Sequence, residues 1–226
     1  MKFFRWIRPF AHILFILAIP LILIVSPLYL FVSPGFVRYE YSRQGFPPAE
    51  RFSQEERLRI SDVILHYLRG KASLKEMATF PTTEGAPALR KAEVEHLVDV
   101  KHVLDGFFTL HKIAILIACL SIIYLWYSPS RFLLPIYLRQ GVWVTGGLIL
   151  LVLLSSVLNF DLFFTRFHEL FFPHGNWTFY VEDTLIQLYP LPFWSDTVLK
   201  LGLTILLEGG VLYALSYILP VRSQSE

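Results

Sequence analysis

The sequence predicts an all-α integral membrane protein: four transmembrane helices, an extracytoplasmic helical segment between spans 1 and 2, and an aromatic-rich outer loop between spans 3 and 4. Three observations carry this. The 226-residue chain is 54% hydrophobic and 17% charged, where soluble domains carry roughly a quarter of charged residues. Its mean hydropathy is +0.52. Four apolar runs, at about 10–32, 107–127, 141–160 and 197–219, are each long enough to cross a hydrocarbon layer of roughly 30 Å at about 1.5 Å per residue. The whole of 1–226 reads as one integral membrane domain.

The first run is too long for the h-region of a cleavable signal peptide, and no small-x-small site follows it, so it is expected to remain as an anchor. Segment 33–50 carries Pro34, Gly35, Gly45, Pro47 and Pro48 and reads as an extended connector. Its Phe36, Tyr39, Tyr41 and Phe46 suit the headgroup zone. Ser53 and Glu56 fit a capping box, so a helix should run from there to a stop at Gly70, burying Leu58, Val63, Leu65 and Leu68. Thr79 to Pro87 is a loop. A second outer helix should start near Ala88 and continue into span 2, with only Gly106 to interrupt it. The segment 161–196 is dense in Phe, Tyr and Trp, as membrane interfaces favour. The tail after Leu219 is short and polar.

Charge placement sets the expected topology. Lys2, Arg5 and Arg8 precede span 1, Arg131 and Arg139 lie between spans 2 and 3, and Arg222 follows span 4. The positive-inside rule makes these segments and both termini cytoplasmic, and puts 33–106 and 161–196 on the other side. A net charge of +2 gives no footprint for nucleic acid. The single cysteine, Cys119, excludes an intrachain disulfide and a thiolate metal site.

Both expected outer segments carry a histidine cluster: Glu95-His96-Leu97-Val98-Asp99-Val100 and Arg166-Phe167-His168-Glu169. On a helical wheel Glu95, Asp99 and His102 form a polar stripe. His96 falls at its edge, between Asp99 and an apolar face of Val100 and Val103. Burial lowers an imidazole pKa and a carboxylate raises it, so this balance is expected to leave His96 near its ordinary value, suited to proton transfer. Two histidines on separate segments at one membrane depth are what a two-proton mechanism needs. Asp183 is a candidate to orient a histidine or cap a short helix, and Glu208, inside span 4, is left outside the site. A zinc held by His96, Asp99 and His168 competes, but no established ligand motif supports it, and the reading is of a site without metal or cofactor. A lipid hydrolase, an intermolecular acyltransferase and a non-enzymatic membrane partner protein remain open from the residues alone.

Taken with their order along the chain, these motifs resemble the bacterial lipoprotein intramolecular transacylase (Lit) family of four-span membrane proteins. The resemblance spans nearly the whole length: a span, a long segment closing in Glu95-His96-Leu97-Val98-Asp99-Val100-Lys101, two spans, then Phe167-His168 with Phe171-Phe172, Trp177, Asp183, Leu185, Pro190 and Phe193, and a last span. It departs where Phe193-Trp194 stands for an expected Phe-Phe. The resemblance implies His96 and His168 as the catalytic pair, with Asp99, Glu95, Arg166, Asp183 and Trp177 supporting. The implied reaction moves the sn-2 acyl chain of a diacylglyceryl-modified lipoprotein onto the α-amine of its N-terminal cysteine. The implied partners are such lipoproteins and membrane lipids. His96, held by Asp99, is the first choice of base, though the sequence leaves the two roles interchangeable.

Overall fold

The structure, a computed structural model, describes residues 2–128 and 131–218, with side chains from residue 9 onward. The helices in chain order are α1 (Lys2–Val25), α2 (Leu28–Phe31), α3 (Pro34–Tyr41), α4 (Gln54–Leu68), α5 (Leu74–Ala78), α6 (Lys91–Trp126), α7 (Leu134–Leu158), α8 (Phe160–Phe171), α9 (Thr184–Leu188) and α10 (Leu191–Leu215), with a 3-10 turn at Arg131–Leu133. Four stretches are long and apolar enough to cross a membrane: Pro9–Phe31, Lys91–Trp126, Arg131–Leu158 and Leu191–Leu215. At about 1.5 Å per residue α6 is roughly 54 Å long, more than a bilayer core needs. Its apolar run starts at Phe107, so the four turns before that, which carry His96, are outside the spanning part. Gly106 does not interrupt the helix.

The contacts group into two units. The membrane unit comprises Met1–Pro27, Phe107–Leu154 and Leu201–Glu226. Its core gathers Phe15, Ile19, Leu23, Ala114, Ala118, Leu138, Ile149 and Ile205. Small residues permit close approach, as membrane helices require when no water drives them together. A Cβ on Gly141 would stand 2.6 Å from the Ile19 Cβ. Polar groups here settle locally: Thr145 Oγ1 donates to Gly141 O at 2.8 Å, and Ser26 Oγ lies 3.1 Å from His111 Nε2.

The second unit comprises Leu28–Gly106 and Ser155–Lys200. Segment 33–50 is not simply extended. Ser33 caps α3 by accepting from Phe36 N, and Pro34 opens the helix, an N-cap and N1 pair whose preset φ outweighs the adjacent Gly35. Half of the expected capping box at Ser53 is present. Ser53 Oγ accepts from Glu56 N at 3.2 Å, but the Glu56 carboxylate takes Thr83 N at 2.6 Å and Thr83 Oγ1 instead, fastening the 79–87 loop. The complete box is at Ser73 and Glu76. Helix α4 ends before Gly70, and its buried face is Ile60, Ile64, Leu65 and Leu68, with Leu58 and Val63 only half-buried. The aromatic segment after span 3 opens as a helix, α8, because Asn159 caps it by accepting from Leu162 N at 3.0 Å.

Buried charge holds this unit together. Glu40, fully buried, pairs with Arg43 and Lys200, and Arg43 also pairs with Asp196. Arg57, 1% exposed, donates to Pro47 O and Leu188 O and lies over the Tyr41 ring. Glu93, also fully buried, accepts from Arg90 N and Leu185 N, each at 2.8 Å. That carboxylate fastens the start of α6 to the start of α9 and so fixes the helix that bears His96. Burial pushes the Glu93 carboxyl above its ordinary pKa, with the two amide hydrogen bonds opposing.

Candidate active site

His96 and Asp99 come from α6, His168 from α8, and Phe172, Asn176, Trp177 and Phe179 from the chain between α8 and α9. Gly175 makes this possible. Its φ of 74° is left-handed, a conformation glycine adopts without steric cost, and its N–H closes a turn onto Phe172 O at 3.1 Å. The chain therefore reverses after α8 and returns Asn176, Trp177 and Phe179 to the histidines.

The two imidazole centroids are 6.3 Å apart with ring planes 27° from parallel, a separation of about two hydrogen-bond lengths. Aromatic rings surround both. Phe172 and Phe179 stand edge-on to His96 at 4.9 and 5.5 Å, and Phe164 and Trp177 pack on His168 at 4.1 and 4.9 Å. Burial among these rings pushes the His96 pKa down to about 4. The neighbouring His168 lowers it further, and Asp99 and Asn176 oppose. The expected balance at His96 is thus corrected: burial outweighs the carboxylate. Burial also lowers His168, with the Phe164 carbonyl opposing. Both rings are neutral at pH 7.

Hydrogen bonds distinguish the pair. His168 Nδ1 is 2.8 Å from Phe164 O. A carbonyl only accepts, so Nδ1 bears the proton and Nε2 presents a lone pair. His96 is not bonded directly to Asp99. Asp99 Oδ2 instead accepts from Asn176 Nδ2 at 2.5 Å, and the Asn176 side chain is close enough to favour a charged His96. Buried and without a hydrogen-bond partner of good geometry are His96 Nδ1 and Asn176 Oδ1.

Of the expected supporting residues, Asp99 and Trp177 reach the site. Three do not. Glu95 is exposed and faces Lys91 at 3.7 Å, because one step along a helix turns it about 100° from His96. Arg166 is exposed and pairs with Glu169 at 2.7 Å. Asp183 is buried at the start of α9, accepting from Tyr180 N and pairing with Arg90, so it orders backbone and orients no histidine. Asn176 is the residue that sequence reasoning missed. The local signal for it is its place directly after Gly175, the turn-forming glycine that reverses the chain. His102 and His174 are exposed. Among the described residues no three His, Cys, Asp or Glu side chains converge as a metal site would require.

Four spanning helices and two apposed, desolvated imidazoles define a class: a helical integral membrane protein with a histidine pair outside its spanning segments. The family follows from comparison, since the model of the lipoprotein intramolecular transacylase Lit family matches residues 12–194. The chain belongs to that family, and this makes it an acyltransferase of cell membranes. Two solved structures of the membrane integral lipoprotein intramolecular transacylase Lit from Bacillus cereus share the fold. A point-mutant form aligns with TM-score 0.74 at 21% identity over 96% of this chain and 94% of its own. A second crystal form gives 0.65 at 20% identity over the same shares. An uncharacterized protein of Aquifex aeolicus (strain VF5) is 28% identical over 206 residues, 89% of this chain and 91% of its own.

Proposed function

We propose that the protein moves the sn-2 acyl chain of diacylglyceryl-modified lipoproteins to the α-amine of their N-terminal cysteine, with His168 as base and His96 as its partner. Family membership supports the reaction class, and the two neutral imidazoles 6.3 Å apart carry the assignment to residues. The α-amine attacks the ester carbonyl and gives a proton to His168 Nε2. As the ester C–O bond breaks and the N–C bond remains, that proton passes to the glycerol oxygen. His96 donates its Nε2–H to the oxygen that gains charge, since its buried Nδ1 meets no hydrogen-bond partner, and Asp99 and Asn176, bonded to each other, stand beside it. The phenylalanine and tryptophan walls exclude water, which would otherwise compete as nucleophile. Nucleophile and ester belong to one molecule, so positioning supplies much of the rate. The roles differ from the first choice on the sequence, because the bond from His168 to Phe164 O leaves Nε2 free to accept.

In the same reading the termini are cytoplasmic and the histidines face outward, as Lys2, Arg5, Arg8, Arg131 and Arg139 suggest, which brings the site to exported lipoproteins. Tandem mass spectrometry of a lipoprotein's N-terminal peptide, after co-expression in a host unable to N-acylate, tests the reaction. Constant mass with one acyl chain moved from glycerol to the amine is expected. A mass reduced by one fatty acid identifies a hydrolase, and a mass increased by one an intermolecular acyltransferase; either result rejects the proposal.

A further inference from the structure

In the membrane unit, Arg139 of α7 meets two tyrosines at the far end of α10. The Arg139 guanidinium carbon lies 4.6 Å from the centroid of the Tyr217 ring, and the hydroxyls of Tyr213 and Tyr217 are 3.0 Å apart. Trp143, one turn beyond Arg139, stands edge-on to Tyr213 at 6.0 Å. Trp143 and Tyr217 are 69% and 62% exposed, so the cluster opens outward. Its donors exceed its acceptors. Arg139 Nε donates to Pro135 O at 3.2 Å, and the guanidinium enters no ion pair among the described residues. One tyrosine hydroxyl donates to the other, which leaves the second hydroxyl hydrogen for a further acceptor. The sequence explains the excess: Met1–Pro27, Phe107–Leu154 and Leu201–Glu226 contain no Asp or Glu except Glu208 and Glu226. Glu208 precedes Tyr213 on α10 by roughly 7.5 Å along the axis and is turned about 140° from it.

The cluster's own residues set its level. Arg139 stands just before the apolar run 141–160, and Tyr213 and Tyr217 close the run 197–219, each run lying in a stretch long enough to cross a membrane. Tryptophan and tyrosine favour the headgroup layer, and an arginine beside them there meets lipid phosphate. We infer that Arg139 and the Tyr213–Tyr217 hydroxyl pair bind the headgroup phosphate of an anionic phospholipid, in the leaflet at this end of the spans. The guanidinium offers charge-assisted donors to the phosphate oxygens, a tyrosine hydroxyl adds another, and the exposed Trp143 ring lies on the hydrocarbon side of them. No carboxylate of the cluster opposes the phosphate charge. The site is separate from the histidine pair, both of whose members belong to the other unit.

The test uses the full chain in neutral detergent, with lipid binding read by native mass spectrometry. Probes are phosphatidylglycerol and diacylglycerol with the same chains, which lacks the phosphate. Phosphatidylglycerol is expected to bind the more tightly, and Arg139→Gln to weaken it about tenfold, as loss of a charge-assisted contact implies. Tyr213→Phe with Tyr217→Phe keeps both rings and should weaken it about threefold. Arg139→Lys keeps the charge and should retain most of the binding, which separates charge from folding. Arg131→Gln removes an exposed cation of the preceding 3-10 turn and should change binding less than twofold, which separates a built site from general positive charge. The inference is overturned if diacylglycerol binds as tightly as phosphatidylglycerol, if Arg139→Gln or the phenylalanine pair binds like the parent, or if Arg139→Lys or Arg131→Gln loses as much as Arg139→Gln. None of these readouts depends on acyl transfer.

Discussion

The membrane unit and the second unit place their buried polar groups differently. In the first, Thr145 bonds within its own helix turn and Ser26 meets His111, so the core is shaped by apolar side chains and by close approach at Gly141. In the second, Glu40, Arg57, Glu93 and Asp183 are buried charges that bind backbone or each other's partners across long sequence separations. The contrast explains where chemistry can reside. An imidazole facing hydrocarbon has little to orient it, whereas in the second unit fixed backbone holds His96 and His168 while leaving ring nitrogens open.

The largest effect should come from removing a scaffold charge. Glu93→Ala leaves the buried Leu185 N and the part-buried Arg90 N without acceptors, and an orphaned buried amide costs about 1–3 kcal/mol, so a loss of about 3 kcal/mol is expected by thermal or denaturant unfolding. Thr145→Ala in the membrane unit should cost less than about 1 kcal/mol, because its hydroxyl only adds to a carbonyl within its own helix. Equal costs would dissolve the comparison.

A smaller effect is expected at the link between Asp99 and His96. Asn176→Ala should slow acyl transfer about tenfold, the loss of one positioning hydrogen bond, and Asn176→Asp should not restore it, since two adjacent carboxylates repel. Folding stability should change little in the alanine variant. A normal rate would remove Asn176 from the site.

The same contrast governs what could be read from the sequence. Hydropathy locates the spans, because membrane helices follow from apolar length alone, and Gly70 and the 79–87 loop are legible from local turn chemistry. His96 and His168 stand out as ionisable groups near spans. The helix Pro34–Tyr41 was hidden by a density of proline and glycine, although Ser33-Pro34 is an N-terminal signature. Asn176, and the engagement of Asp183 by Arg90, depend on contacts from residues 77 and 93 positions away, which no local pattern encodes. The depressed pKa of His96 was illegible for the same reason: its cause is packing by Phe172 and Phe179.

The central claim, that neutral His168 takes the proton, is tested most directly by the pH dependence of the single-turnover transfer rate. A substrate α-amine must lose a proton near pH 8, giving a slope of one in log rate below that value. A base with lowered pKa is neutral above its own folded value and is lost as pH falls through it. The account therefore predicts a second unit of slope appearing only below pH 6.5, the ordinary histidine value, and absent from the residual activity of His168→Ala, which should itself be about 10²–10⁴-fold slower. A second unit of slope that already appears above pH 6.5 in the parent, or one that persists in His168→Ala, would contradict it.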